Sequence, residues 1–320
     1  RARRERATPR ATIAALSATF RIGATRPLVV GHRGVPQLHQ ENTLAGFRRA
    51  RELGVPAVEL DVILSADGVP VVFHDVALAR LTGAVGTVAT STWDQLARLR
   101  VQRALSYRGV DGAPVVLRYA REEPIARLDE VLAELGTTIA INIEIKVDPA
   151  RWWTTAVATR TAEVIAAAGV TDTVIVTSFD PRKLVAARRA HPALRVGFCF
   201  DDTMLDLARP LLARVPLPSR VPGGDRVRGV VERLLVADLA GRALGTPVVG
   251  AEHTLVGPST VAALHRRGVA IGTHTLFPLG TTTAKPVPAA ATTDAEARRL
   301  IALGVDWIET DDPERLLALL

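Results

Sequence analysis

The 320-residue sequence predicts a single (β/α)₈ TIM barrel carrying a β-hairpin and loop insertion after its second strand. Three observations predict it. Short runs rich in Val, Ile and Phe recur eight times, at 27–33, 57–62, 138–146, 173–179, 194–200, 247–253, 269–275 and 306–312. Between most of them lies one stretch of helical period, and several of these stretches end in Gly, as helix C-termini often do. Polar residues gather at the ends of the apolar runs, whereas a doubly wound open sheet, the main alternative, has no need of eight such ends.

In chain order, residues 1–26 are Arg-rich and read equally as the remnant of an export signal or as a basic arm leading into a short helix. Residues 27–320 form the barrel. The second run, in "VELDVILSADGVPVVFHD", is followed not by a helix but by Asp67-Gly68, a strong hairpin signal. A two-residue turn there makes Ala66 face Val69 and sets His74 opposite Asp61. Residues 66–124 then form an insertion: a loop with one short helix, followed by an irregular or β-ribbon stretch over "SYRGVDGAPVVLRYAREEP". A second insertion spans 201–245 and includes "VPLPSRVPGGDRVRG", a Pro/Gly-rich lid or edge loop. Excursions of this length at the C-terminal face of a barrel tend to cover its active site.

Composition narrows the classes. Hydrophobic residues make up 48% and charged residues 23%, ample for a core, and no apolar run is long enough for stable membrane insertion. The net charge of +7 is almost all arginine, scattered among acids along helical stretches. That pattern is a compositional bias rather than a nucleic-acid surface, though it favours anionic substrates. The single cysteine, Cys199 in "VGFCF", excludes an intrachain disulfide and reads as a buried structural thiol.

The strand ends carry the chemistry. The first offers His32 and Arg33, followed by Glu41. The second offers Glu59 and Asp61, with His74 from the hairpin. The third offers Asn142, Glu144 and Lys146, alternating with isoleucines. The fourth to eighth bring Ser178, Glu252, His253, His274, Glu309, Asp311 and Asp312. Glu59, Asp61 and Glu144 on adjacent strands would repel each other unless paired. A hard divalent cation, Mg²⁺ or Ca²⁺, resolves this, as would a salt-bridge cluster with Arg33 and Lys146. His32 and His74 are the natural proton-transfer pair. Arg33 and Lys146 suit a phosphoryl group. His39, His191 and His265 fall in loops or helices and read as structural.

In these residues the chain resembles the glycerophosphodiester phosphodiesterases, through "GHRG" (31–34), "ENTLAGF" (41–47), "VELDVILSADGVPVVFHD" (58–75), "IEIK" (143–146), "SFDPRKL" (178–184) and "GVDWIETDDPERLL" (304–317). The resemblance covers about residues 28–317. It implies a TIM barrel with Glu59, Asp61 and Glu144 as metal ligands, His32 and His74 as acid and base, Arg33 and Lys146 on the phosphate, and Glu41 in support. The implied reaction is metal-dependent hydrolysis of a small glycerophosphodiester to sn-glycerol 3-phosphate and an alcohol. A lysophospholipase D or sphingomyelinase D-like phospholipase, with the two insertions lining an apolar groove, is the alternative enzyme. A non-catalytic phosphodiester-binding barrel would lack a histidine or a carboxylate, and none is missing. Members of that family usually carry a Trp-Thr-x-Asn-like stretch where this chain has "GTHT" (272–275), and a small residue where it has Trp307. The expectation is that Trp307 fills the space left at Gly272 and that Trp307 and His274 serve the alcohol side.

Overall fold

The computed structural model describes residues 19–148, 151–201, 204, 226–281 and 287–320. The arm at 1–18 and the Pro/Gly-rich stretch of the second insertion lie outside the described residues. Within them, the first strands are β1 (Leu28–Gly31), β2 (Ala57–Leu64) and β3 (Pro70–Val72). The first insertion adds β4 (Arg100–Val101), β5 (Ala104–Arg108), β6 (Pro114–Arg118), β7 (Glu123–Pro124) and β8 (Ala126–Arg127). The chain then runs through β9 (Ala140–Ile145), β10 (Val174–Ser178), β11 (Val196–Phe200), β12 (Val248–Glu252), β13 (Ala270–Leu276) and β14 (Trp307–Thr310). Parallel pairing runs β1-β2-β9-β10-β11-β12-β13-β14 and back to β1, closing an eight-stranded barrel.

Helices form where the sequence places both a start signal and an apolar stripe. Thr43 caps Leu44–Glu52 by accepting from the Gly46 amide, Asp180 caps Pro181–Ala190, and Thr293 caps Asp294–Leu303. Their buried residues, such as Phe47, Leu184 and Leu300, pack on the outward-facing Val58, Leu60, Ile143 and Val176 of the strands. Inside the barrel, the floor is a dry layer of Phe20, Val30, Ala57, Ile175, Val248 and Trp307. Above it the lumen turns polar: Asn142 donates to Glu309 Oε1 at 2.8 Å, and the Thr177 hydroxyl donates to Asn142 Oδ1 at 2.9 Å. Among the described residues, no helix is long and apolar enough to cross a membrane. Cys199 is buried, as expected of a structural thiol.

The hairpin differs from its sequence expectation by one residue. Leu64 pairs with Pro70 and Val62 with Val72, and Ser65 N–H donates to the Val69 carbonyl at 3.0 Å. The turn therefore holds three residues, 66–68, and Phe73 rather than His74 pairs with Asp61, its amide donating to the Asp61 carbonyl at 3.0 Å. The cause is local. Ser65 Oγ accepts from the Val69 amide and donates to Asp67, whose carboxylate in turn caps the Trp93 amide. Gly68, at φ +83, completes the left-handed step that a three-residue loop requires.

The first insertion has a small core of its own, in which Leu78, Leu81, Leu96, Leu105 and Tyr107 pack beneath Ile63, Val71 and Phe73 of the hairpin. It contains two short helices, Ala79–Thr82 and Trp93–Leu96, where the sequence suggested one, and an antiparallel β5–β6 ribbon.

Candidate active site

The C-terminal ends of the strands open into a cavity of about 260 Å³. Seven of the sequence-derived candidates that were given a role line it, His32, Arg33, Glu41, His74, Glu144, Lys146 and His274, together with the strand-end residue Asp311. Glu59 and Asp61 lie directly beneath, each 1% exposed. Trp307 is the exception. Its indole lies over Gly272, where a β-carbon would overlap it, so the expected space-filling holds. That contact sits in the barrel floor, however, and Trp307 does not reach the cavity.

The "GHRG" turn explains how β1 presents two functional side chains in succession. Gly34 N–H donates to the Gly31 carbonyl at 3.1 Å, so tightly that a β-carbon on Gly31 would strike the Gly34 oxygen, and Gly34 sits at φ +96. Arg33 itself is held at φ +55, a conformation costing an arginine about 1–3 kcal/mol. In return its amide donates to Glu59 Oε2 at 3.0 Å, while its side chain reaches Glu41 at 3.0 Å and Asp61 at 3.2 Å.

Strand register gathers the acids. Asp61 pairs with Glu144 across β2 and β9, Glu59 is two residues down the same face, and ligand oxygens of all three lie within 4.8 Å of one another. Lys146 Nζ bridges Glu144 at 2.8 Å and Asp61 at 3.2 Å, and Asn42 donates to Asp61 at 2.8 Å. The two interpretations offered by the sequence, ion-pair cluster and cation site, therefore share the same residues. Neutralisation is uneven. Burial opposes ionisation of Asp61, but Lys146, His74 and Arg33 together hold it below its ordinary range. Glu59 is pushed well above its range by burial and by the charges of Asp61, Glu309 and Glu144. Its Oε1 is buried with no hydrogen-bond partner. An all-oxygen set with one orphaned buried oxygen and excess negative charge fits a hard divalent cation, and these three residues could hold one.

Both histidines line the cavity, and each has its Nδ1 on an aspartate. His32 Nδ1 lies 2.6 Å from Asp311 Oδ1, whose other oxygen accepts from the Leu279 amide at 2.8 Å. His74 Nδ1 lies 2.7 Å from Asp75 Oδ1. An aspartate at Nδ1 holds the proton there and leaves Nε2 for chemistry. Burial, with Arg33 and Lys146, lowers the His74 pKa against the pull of Asp61 and Asp75. His74 thus enters the cavity from the bend just beyond β3 rather than from a paired position.

Sequence reasoning quoted Asn42, Asp75 and Asp311 without giving them a role, and it missed Arg80 and Tyr107 altogether. Asp75 had a signal in its adjacency to His74. Arg80 and Tyr107 had none, because both belong to the insertion and the partner they share, Glu41, lies 39 and 66 residues away. The structural histidines behave as expected: His265 bonds Asp306 and His191 bonds Thr171, both at 2.8 Å.

Residues 32–315 match the model of the glycerophosphoryl diester phosphodiesterase family. The chain belongs to that family. It is accordingly a phosphoric diester hydrolase with glycerophosphodiester phosphodiesterase activity. It is 31% identical over 182 residues to the glycerophosphodiester phosphodiesterase of Caldanaerobacter subterraneus, covering 57% of this chain and 70% of that one. It is 34% identical over 136 residues to human glycerophosphoinositol inositolphosphodiesterase GDPD2, covering 38% of this chain but only 25% of the human protein. Among solved structures, one from Silicibacter pomeroyi described as a glycerophosphoryl diester phosphodiesterase superposes with a TM-score of 0.68 at 25% identity, covering 95% of this chain and 96% of that one. The glycerophosphodiester phosphodiesterase of Agrobacterium tumefaciens shares the fold at a TM-score of 0.62 and 20% identity, covering 91% and 99%.

Proposed function

We propose that this family member hydrolyses a small glycerophosphodiester to sn-glycerol 3-phosphate and an alcohol, with His32 and His74 as its acid–base pair and a divalent cation held by Glu59, Asp61 and Glu144. The observation that carries this is the pair of imidazoles facing one cavity, each with Nδ1 on an aspartate. Arg33 and Lys146, on the cavity wall beside the carboxylates, would bind the phosphate oxygens and stabilise charge that grows on them in the transition state. One imidazole Nε2 would take the proton from the nucleophile while the other gives a proton to the departing alcohol oxygen. Water as nucleophile gives the monoester directly, whereas the neighbouring glycerol hydroxyl gives a cyclic phosphate that water then opens, breaking the new P–O bond. Glu41, bonded to Arg33 at 3.0 Å, would keep that guanidinium turned toward the phosphate. When bound, Mg²⁺ or Ca²⁺ would supply Lewis-acid polarisation of the phosphoryl oxygens. His274 lines the far wall, 6.0 Å between ring centroids from Phe179, and is the candidate for the alcohol side.

A lysophospholipase D would need the insertions to line an apolar groove. From residues 100–124, Tyr107 alone lines the cavity, with its hydroxyl held by Glu41 at 2.7 Å. On the side of the first insertion this favours the small-substrate reading; most of 201–225 in the second lies outside the described residues. The test is turnover of glycerophosphocholine against lysophosphatidylcholine, with added Mg²⁺ or Ca²⁺, in wild type, His32→Ala and His74→Ala. Preference for the lysolipid would overturn the substrate class, and wild-type rates in both variants would overturn the mechanism.

A further inference from the structure

Arg80, on the short helix Ala79–Thr82 of the first insertion, does not line the cavity. It nevertheless directs four of its five N–H groups at Glu41, which does, and at Asp75, which holds His74, which does. Its Nε and Nη2 donate to the two oxygens of Asp75 at 2.6 and 2.9 Å, and its Nη1 and Nη2 donate to the two oxygens of Glu41 at 2.9 and 2.8 Å. Beyond Asp75 is His74 Nδ1, and beyond Glu41 is Arg33 Nη1. The Tyr107 hydroxyl donates to Glu41 at 2.7 Å, and its ring lies 5.5 Å from the Arg80 guanidinium carbon. The neighbours of Arg80 in sequence, Leu78 and Leu81, are buried in the insertion's core, which fixes the helix that carries it.

We propose that Arg80 is a positioning residue for the phosphodiesterase reaction, one guanidinium fork that sets the proton-transfer imidazole of His74 and the phosphate-binding Arg33 in a fixed relation across the cavity. Each carboxylate takes one side of the fork, so neither Asp75 nor Glu41 can turn without breaking a two-point contact, and each in turn holds His74 or Arg33. A lysine cannot do this, because a single ammonium lacks the planar spread to face two carboxylates at once. The insertion thereby becomes part of the catalytic apparatus rather than a cover over it. The proposal rests on His74 being an acid–base residue, and the test separates the two.

The experiment compares Arg80→Met and Arg80→Lys, each in the wild-type and the His74→Ala background, with Arg80→Ala in the wild-type background for rescue by free guanidinium. The probe is glycerophosphocholine, with kcat and KM measured separately and thermal midpoints recorded. In the wild-type background Arg80→Met is expected to lower kcat about tenfold to a hundredfold, as loss of a partner that orients a reacting group does. Arg80→Lys should recover little of this, while free guanidinium should restore part of the rate to Arg80→Ala. In the His74→Ala background the same substitutions should lower kcat much less than in wild type, leaving only the part that acts through Glu41 and Arg33, because the imidazole they position is already gone. Equal losses in both backgrounds, or none in wild type, would overturn the proposal. If Arg80→Met does not fold, the Arg80→Lys pair decides by the same comparison. Wild-type kcat in His74→Ala alone would refute the acid–base reading, and a loss from Arg80→Met beside it would mark Arg80 as structural.

Discussion

His32 and His74 line the same cavity, each with Nδ1 on an aspartate, yet different kinds of structure hold them. His32 stands on the barrel itself. Its amide donates to the Thr310 carbonyl at 2.9 Å, and its aspartate follows β14 directly, pinned by one backbone amide from the β13–β14 connection. His74 stands past the end of a hairpin, and its aspartate is pinned by Arg80 from the insertion. The first arrangement needs only the closed barrel and one of its own connections. The second needs the insertion to fold and dock, and it ties His74 to Arg33 through a chain of ion pairs. A barrel strand can thus be rigid by ladder hydrogen bonds alone, while a group outside the ladder needs side-chain charge to hold it still.

The largest break in this comparison comes from removing either imidazole. His32→Ala and His74→Ala are each expected to lower kcat by about 10²–10⁴-fold, and a variant with wild-type turnover would take its residue out of the chemistry. Next is the floor beneath the barrel-held side. Trp307→Ala should cost about 3–5 kcal/mol of stability through the cavity it leaves, read as a lowered denaturation midpoint, with KM nearly unchanged. A large KM change with intact stability would instead restore Trp307 to the alcohol side.

Asp311→Asn and Asp75→Asn sharpen the contrast. Both should lower kcat about tenfold to a hundredfold by loosening an imidazole. Asp75→Asn should also lower the thermal midpoint by several degrees, since it weakens charge-assisted hydrogen bonds worth about 1.5–3 kcal/mol each. Equal melting of the two variants would mean that the insertion adds nothing to the hold. Added Mg²⁺ or Ca²⁺ at about a hundredfold over its Kd should stabilise the wild type by about 2.7 kcal/mol, and Glu59→Gln should abolish the rise in midpoint.

The smallest effect is with pH. Burial opposes ionisation, but Arg80 and His74 hold the Asp75 carboxyl down at about 2, below its ordinary 3.8, and Arg33 and Arg80 hold Glu41 below its ordinary 4.5. Groups depressed in this way stabilise the fold fully above their unfolded values and lose that contribution as pH falls through the folded ones. Arg80→Met should therefore move acid unfolding, followed by near-UV circular dichroism, to a higher pH. An unshifted midpoint would show that Arg80 is not what depresses them.

Much of the site was legible because it is written in short-range pattern. Glu59 and Asp61 share a face by the two-residue period, as do Asn142 and Glu144, and the register of β2 with β9 brought the two pairs level. The hairpin was legible only to within one residue, since turn length there depends on Ser65 and Asp67 reorganising the loop, and a one-residue slip exchanges faces. Trp307 was correctly paired with Gly272 but placed at the wrong height in the lumen. Periodicity reports which face a side chain takes, not how far along the barrel axis it sits from the mouth.

The sequence by itself determined the barrel, the acids and the two histidines, because strand alternation and helix caps are read over a few neighbouring residues. Only the tertiary structure decided which side chains hold those groups still. Arg80 meets Glu41, and Tyr107 reaches the same carboxylate, only after the insertion packs its own core and docks on the hairpin. A charge contact between residues distant in the chain leaves no periodic mark in either partner, so its existence depends on the packing that brings the two together.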